Sequence, residues 1–223
     1  LFRTKLSDNL FEGLAPWLQK LPGGLIHVNV VGCALFAAIS GSSAATVATV
    51  GKMSIPELRK RKYPEKILLG SLAGSGTLGL LIPPSIILIV YGVTVQESIA
   101  KLFIAGIIPG IMIALIFMGY VIVWSLLNRN KMPSNYENFS FLNKLSKSKQ
   151  LIPVILLIVS VIGSIYTGVA TATEAASLGV VGALILSYFQ KSLTLKTFKE
   201  SLLGATKTSC MIAFILAGAT FLS

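Results

Sequence analysis

Ile39-Ser40-Gly41-Ser42-Ser43-Ala44-Ala45-Thr46 is the stretch on which the reading of this chain turns. It is a polar, small-residue island inside the otherwise apolar run 25–51. The arm before it, 25–39, would be only about 22 Å long as a helix, too short to cross a bilayer comfortably. The arm after it, 44–51, is shorter still. Two short apolar arms around a Ser/Gly tip predict a re-entrant hairpin. Irregular backbone at membrane depth is tolerated only where protein or a water-filled cavity receives it.

A second interruption follows in the run 67–92. Its middle reads Gly74-Ser75-Gly76-Thr77-Leu78-Gly79, then Ile82-Pro83-Pro84-Ser85. Glycines and a Pro-Pro pair do not sit inside an unbroken helix, so the spacing predicts a discontinuous one. A broken helix frees backbone N–H and C=O groups, and in hydrocarbon each would cost several kcal/mol if left unpaired. Secondary transporters use such groups as ligands, carbonyls and hydroxyls for Na⁺ and half-helix N-termini for anionic substrate groups. The Ser40–Thr46 tip has hydroxyls and no carboxylate, which suits a weakly held hard cation that must be released again. The bland alternative is that these small residues only let helices pack closely.

Composition sets the class around these two breaks. Of 223 residues, 54% are hydrophobic and 12% charged, and the mean hydropathy is +0.81. Ordinary soluble domains carry about 25% charged residues, and disordered chains are polar and charge-rich. The chain therefore reads as an all-α membrane protein, a multi-span helical bundle. Its net charge is +11, but the basic residues lie in gaps between apolar runs, where they orient the chain and touch anionic lipid headgroups rather than nucleic acid.

Working outward, residues 1–23 form an amphipathic arm, with Leu6, Leu10, Leu14 and Leu18 at helical spacing and breaks at Pro16 and Pro22-Gly23-Gly24. After the broken helix come a connector over 93–101 and a long span over 102–127. A basic loop occupies 128–150. Residues 151–168 span outward, 169–174 turn, and 175–190 return. Lys191, Lys196 and Lys199 mark a further loop before the last run, 203–222. The loops 52–66, 128–150 and 191–199 hold six, five and three of the nineteen Lys and Arg residues. Their common basic character puts all three on the cytoplasmic side. Two crossings separate each neighbouring pair, and if 25–51 enters and leaves on one side, Arg3, Lys5 and Lys20 before it lie on that face too.

Individual residues add less. Cys33 and Cys210 lie in apolar runs without metal spacing and read as small apolar residues. His27 and Asn29 read as a helix-end or interfacial polar pair. Glu174 reads first as an N-terminal cap for the helix 175–190 and second as an intramembrane functional acid. Trp17 and Trp124 read as interfacial anchors. There are no paired carboxylates, no Cys/His metal spacing and no phosphate loop, so the residues point to no enzyme, no catalytic residue and no cofactor.

The ordered motifs resemble the large membrane subunit of a TRAP (tripartite ATP-independent periplasmic) transporter, DctM-type. The resemblance lies in Gly23-Gly24-Leu25-Ile26-His27-Val28-Asn29-Val30, Phe36-Ala37-Ala38-Ile39-Ser40-Gly41-Ser42-Ser43-Ala44 and Gly79-Leu80-Leu81-Ile82-Pro83-Pro84-Ser85. It continues in Leu102-Phe103-Ile104-Ala105-Gly106-Ile107-Ile108-Pro109-Gly110 and Gly168-Val169-Ala170-Thr171-Ala172-Thr173-Glu174-Ala175-Ala176. Each motif alone is weak, while the ordered set is specific. The resemblance implies part of an inverted-repeat, elevator-type transporter of the bacterial inner membrane. It would perform Na⁺-coupled import of a carboxylated organic solute, of C4-dicarboxylate or sugar-acid type. Its implied partners are a small TRAP membrane subunit and a periplasmic solute-binding protein, beside membrane lipid, and Na⁺ is its coupling ion. On this reading residues 1–127 are the rest of a first repeat (arm, re-entrant hairpin 25–51, broken helix 67–92, span 102–127). Residues 128–150 are a cytoplasmic loop and 151–223 the start of a second repeat. The chain then reads as a central segment of a longer subunit, holding one half-site. Carried over residue by residue, the ion-binding set is Ser40, Gly41, Ser42, Gly76, Thr77 and Gly79, and the substrate-binding set is Ser42, Ser43, Pro83 and Pro84. Two alternatives stand beside it: an ion-coupled transporter of the same superfamily that works without a binding protein, and a non-transporting membrane scaffold.

Overall fold

A computed structural model describes residues 6–133, 141–189 and 191–222. Ten α-helices run through them, and no strand occurs among the described residues. Helix α1 (Leu6–Leu18) opens the chain. Pro16 does not break it as expected: it is carried in the last turn, where only two further residues follow. The chain reverses instead at Pro22-Gly23-Gly24, where Gly23 and Gly24 take φ of 100° and 54°.

Helices α2 (His27–Ser40) and α3 (Ser43–Lys60) pack side by side, joined by Gly41-Ser42. The second arm is longer than expected. Continuous apolarity ends near Gly51, but amphipathic spacing does not. Val50, Met53, Ser54 and Leu58 stay buried while Lys52, Arg59 and Lys60 are exposed. The basic loop expected over 52–66 is therefore mostly helix, and only 61–64 connect to α4 (Glu65–Gly76).

Beyond α4 come a 3₁₀ turn (Thr77–Leu80), irregular chain over 81–85 with a cis Pro83–Pro84 bond, and then α5 (Ile86–Val95). The expected connector 93–101 contracts to 96–98, because Gln96 ends α5 in the left-handed region and Ser98 Oγ accepts from Lys101 N (3.4 Å) to cap α6 (Ile99–Leu127).

Helix α7 (Phe141–Ser148) and the 3₁₀ turn after it rest on α1. There Trp17 Nε1 donates to Ser148 Oγ (2.7 Å) and the Lys144 ammonium lies 5.5 Å from the Trp17 ring centroid. Trp124, by contrast, packs against the core beside α1 and α2. Helix α8 (Ile152–Tyr166) packs on α9 (Ala172–Phe189), and α10 (Leu195–Leu222) ends the described chain. The last two begin earlier than expected. Thr171 and Glu174 form a reciprocal cap for α9: Thr171 N donates to Glu174 Oε2 (2.8 Å) and Glu174 N donates to Thr171 Oγ1 (3.3 Å). Thr197 N donates to Thr194 Oγ1 (3.1 Å) at the start of α10, so Lys196 and Lys199 are helical rather than in a loop.

The densest core lies among α1, α2, α3, α4 and the C-terminal part of α6, around Phe11, Ile26, Phe36, Leu58, Leu68 and Val121. His27 does open α2, but neither it nor Asn29 is interfacial, for both are fully buried. His27 Nε2 donates to Pro22 O (2.8 Å). Asn29 Nδ2 donates to Leu68 O (3.1 Å) and Ser71 Oγ (3.0 Å), tying α2 to α4. Cys33 is buried and Cys210 exposed.

Three described helices are long and apolar enough to cross a membrane: Ile99–Leu127, Ala172–Phe189 and Leu195–Gly218. Gly24–Ser40, Ile86–Val95 and Ile152–Tyr166 are apolar but shorter. Helix α6 exposes Ile108, Leu115 and Ile116 along one side, and none of the described side chains of α10 is buried. Large apolar surfaces of this extent belong in lipid or against protein. The chain is that of a helical membrane protein.

Candidate functional site

The hairpin tip and the helix break meet. Helix α2 ends because Gly41 takes φ of 59°, which a glycine adopts without steric cost, and Gly41 N donates back to Ala37 O (2.9 Å). Ser42 is extended and caps α3, its Oγ accepting from Ala45 N (3.4 Å). Ser40 closes the turn. Its Oγ shares a hydrogen bond with Thr46 Oγ1 (2.8 Å) and accepts from Ser42 N (3.3 Å).

This compact tip sits on the break backbone to backbone. Gly41 O accepts from Ile86 N (3.2 Å), so the tip carbonyl satisfies one of the free N–H groups at the start of α5. A Cβ at Gly41 would lie 2.6 Å from Pro84 O, and one at Gly79 would lie 2.9 Å from Ser43 N. A Cβ at Gly76 would overlap Val47 Cγ2. Small residues here serve close approach, as the packing alternative holds, and that same approach concentrates backbone dipoles at one place.

The sequence-derived residues divide accordingly. Gly41, Ser42 and Ser43 come together with Gly76, Gly79 and Pro84, while Ser40 bonds inside the tip and Pro83 is joined to Pro84 through the cis bond. Ser40 and Ser42 spend their hydroxyls inside the tip, whereas Ser43 Oγ is buried and makes no hydrogen bond among the described residues. Thr77 is exposed, and its Oγ1 donates to Gly74 O (2.7 Å). Two residues outside the expected sets belong to the same structure. Thr46 is the fully buried partner of Ser40, and Ser85 Oγ donates to Leu80 O (2.7 Å), holding the break closed on itself. Both stand at the ends of the polar stretches already visible in the sequence. None of these residues is ionisable, so their electrostatics are those of dipoles and hydroxyls.

A cavity of about 330 Å³ adjoins the tip. It is lined by Ala38, Ile39 and Pro84 on one side and by residues of α8 and α9, including Val161 and Gly179, on the other. It is apolar and includes none of the hydroxyls of the tip.

Helix α6 serves as a ruler for the position of the site. Gly23, beside the start of α2, approaches Val121, while the break approaches Gly106 and Gly110 through Leu81 and Ile82. Between Gly106 and Val121 the helix rises about 22 Å, out of about 43 Å for its 29 residues. Gly106 and Gly110 lie about 10 and 17 Å from the start of α6, so the tip and break sit within the apolar length of the longest apolar helix, nearer its N-terminal end.

Comparison with known proteins bears on the whole chain. Residues 1–223 match the family described as the tripartite ATP-independent periplasmic transporter, DctM component. The C4-dicarboxylate TRAP transporter large permease protein DctM of Pseudomonas aeruginosa is 38% identical over 198 residues, covering 88% of this chain and 46% of that protein. The isethionate TRAP transporter permease protein DctMQ of Oleidesulfovibrio alaskensis is 36% identical over 219 residues, covering 96% and 34%. The sialic acid TRAP transporter permease protein SiaT of Haemophilus influenzae is 35% identical over 219 residues, covering 97% and 35%. The chain thus spans about half the length, or less, of these curated relatives. With the match running from the first residue to the last and its helices apolar enough for a membrane, this chain belongs to the DctM family of TRAP transporter large permease components.

Proposed function

We propose that this chain is part of a permease subunit for Na⁺-coupled import of a carboxylated organic solute, delivered by a periplasmic solute-binding protein. The subunit works in the bacterial inner membrane as a multi-pass protein, beside a small membrane subunit. Residues 1–127 belong to one repeat, 128–150 to a cytoplasmic loop, and 151–223 to the start of a second repeat in an elevator-type arrangement. The observation that carries this reading is the Gly41 O to Ile86 N contact, alongside the apolar length of α6. A re-entrant hairpin whose tip meets a broken helix inside the bilayer is the kind of place where a secondary transporter holds its ion and substrate. The relatives are named for C4-dicarboxylate, isethionate and sialic acid, which supports an organic acid without selecting one.

Within this reading the roles follow from chemistry. Carbonyls and hydroxyls around Ser40, Gly41, Ser42, Gly76, Thr77 and Gly79 hold the coupling ion. Ser42, Ser43 and the chain at Pro83-Pro84 meet the solute, next to the positive end of α5. Uptake by the intact subunit reconstituted with its partners tests the assignment. Ser42→Ala and Thr77→Ala should each raise the Na⁺ concentration for half-maximal uptake, with expression unchanged. Unaltered Na⁺ dependence in both would remove these side chains from the ion site, and uptake indifferent to the Na⁺ gradient would overturn the coupling itself.

A further inference from the structure

The end of the hairpin away from the tip holds polar groups that the transport reading does not use. Asn29 and Ser54 are both fully buried. Asn29 spends its Nδ2 on Leu68 O and Ser71 Oγ, yet its Oδ1 makes no hydrogen bond among the described residues, and neither does Ser54 Oγ. Exchanging the amide's O and N would move the deficit to the other end of the amide without removing it.

Helix periodicity counted from neighbouring contacts brings these two residues to one level of one interface. On α3, Val50 and Met53 face Gly32 of α2, while Gly51 faces Leu72 of α4. Ser54, four residues after Val50 and three after Gly51, falls between these directions and aims at the axis shared by α2, α3 and α4. Asn29 lies three residues before Gly32 on α2 and Ser54 about as far beyond the Gly32 contact on α3, which runs the opposite way. Leu68 and Ser71, bonded to Asn29, lie one turn or less before Leu72 on α4.

We propose that Asn29 Oδ1 and Ser54 Oγ hold one buried water, which joins both arms of the hairpin to α4 at the end away from the tip. A buried unpaired amide oxygen and hydroxyl would each carry a desolvation cost. A water needs two to four polar partners, and an acceptor and a hydroxyl at one level of opposed helices supply two. A bare monovalent ion fits less well. Two neutral oxygens do not offset its dehydration, and Asn29 Nδ2 directs its own positive end into the same group of residues.

The inference does not rest on the transport reading, and its test does not read transport. A structure of the intact subunit in lipid, at a resolution that shows ordered waters, should place one within hydrogen-bond distance of both atoms. A direct Asn29–Ser54 bond, or an apolar contact at that level, overturns the proposal. Thermal unfolding of Asn29→Leu, Ser54→Ala and the double variant gives a second reading. The double variant's loss in Tm should fall short of the sum of the single losses by about 2 °C or more, since either change already breaks the bridge. Additive losses count against it. Stabilisation by Na⁺ should be the same in Ser54→Ala as in the wild type. A loss of that stabilisation in Ser54→Ala alone would replace the water by a cation and also overturn the proposal.

Discussion

Gly41 carries two demands that no other residue type meets together: a left-handed φ of 59° and an approach that leaves no room for a Cβ beside Pro84 O. The backbone conformation alone costs an L-residue about 1–2 kcal/mol, and the contact with a carbonyl of the break adds to it. Gly41→Ala should therefore lower the Tm of the intact subunit. Gly70, exposed in α4 with nothing within 4 Å of an added Cβ, is the control. Gly70→Ala should leave Tm unchanged or raise it, by up to about 1 kcal/mol of helix propensity. Equal Tm values for wild type and Gly41→Ala would mean that the tip does not seat on the break. At this scale the candidate site was largely legible, because Gly, Ser and Pro are the residues that irregular backbone requires. What pattern alone does not reveal is the internal use of the hydroxyls. Ser40 and Ser42 bond within the tip, while Ser43 keeps a buried oxygen without a protein partner among the described residues. That division depends on side-chain direction, which residue type leaves open.

Among the elements, the sequence reading erred wherever it equated loss of apolarity with loss of helix. Helix α3 runs to Lys60 and α10 begins at Leu195, each across residues assigned to basic loops. In α3 one face remains buried against α2 and α4 while lysine and arginine occupy the other. A hydropathy reading averages the two faces and sees a loop. The same averaging hid the short turn between α3 and α4, where Arg59 Nε donates to Glu65 Oε1 (2.6 Å) and Arg59 Nη2 donates to Oε2 (3.2 Å). This hydrogen bonding, before any other cause, holds the Glu65 carboxyl below the usual carboxylate range. A carboxylate depressed in the folded state contributes stability that is fully present above its unfolded pKa. That contribution is lost as pH falls through the folded value. Both side chains are about half exposed, so the effect is small and screened by salt. Unfolding temperatures followed from neutral pH into the acid range should fall less steeply for Glu65→Gln than for wild type at low ionic strength. Parallel curves would show that the paired geometry contributes nothing to folding.

Taken as a whole, the molecule is oriented by where its charged ends meet. The α1 end and the basic loop around α7 are held together by the Trp17–Ser148 hydrogen bond and by Lys144 over the indole. The α3–α4 turn lies at the same end of the bundle, where Leu25 N donates to Tyr63 Oη (3.0 Å) just before α2 starts. The chain thus enters and leaves the hairpin at one end, while the 96–98 connector lies at the other end of α6. Placed in a bilayer with the positive residues inside, this arrangement puts Lys20, Lys66 and Lys149 on the cytoplasmic face and Glu97 on the opposite one. Single cysteines test it directly. Cys33 is buried and stays, and Cys210 is exposed and becomes Ser. Cysteine substituted for Lys20, Lys66 or Lys149 should react with a membrane-impermeant maleimide in inverted vesicles and not in intact cells, and Glu97→Cys should do the reverse. The decisive pair is Lys20 and Lys66, which flank the hairpin. If they label from opposite faces, residues between them cross the membrane, the tip is no re-entrant element, and the intramembrane site loses its basis. If they label from the same face, a hairpin whose α2 arm is only about 21 Å long as a helix enters and returns, and its tip ends within the bilayer against the break.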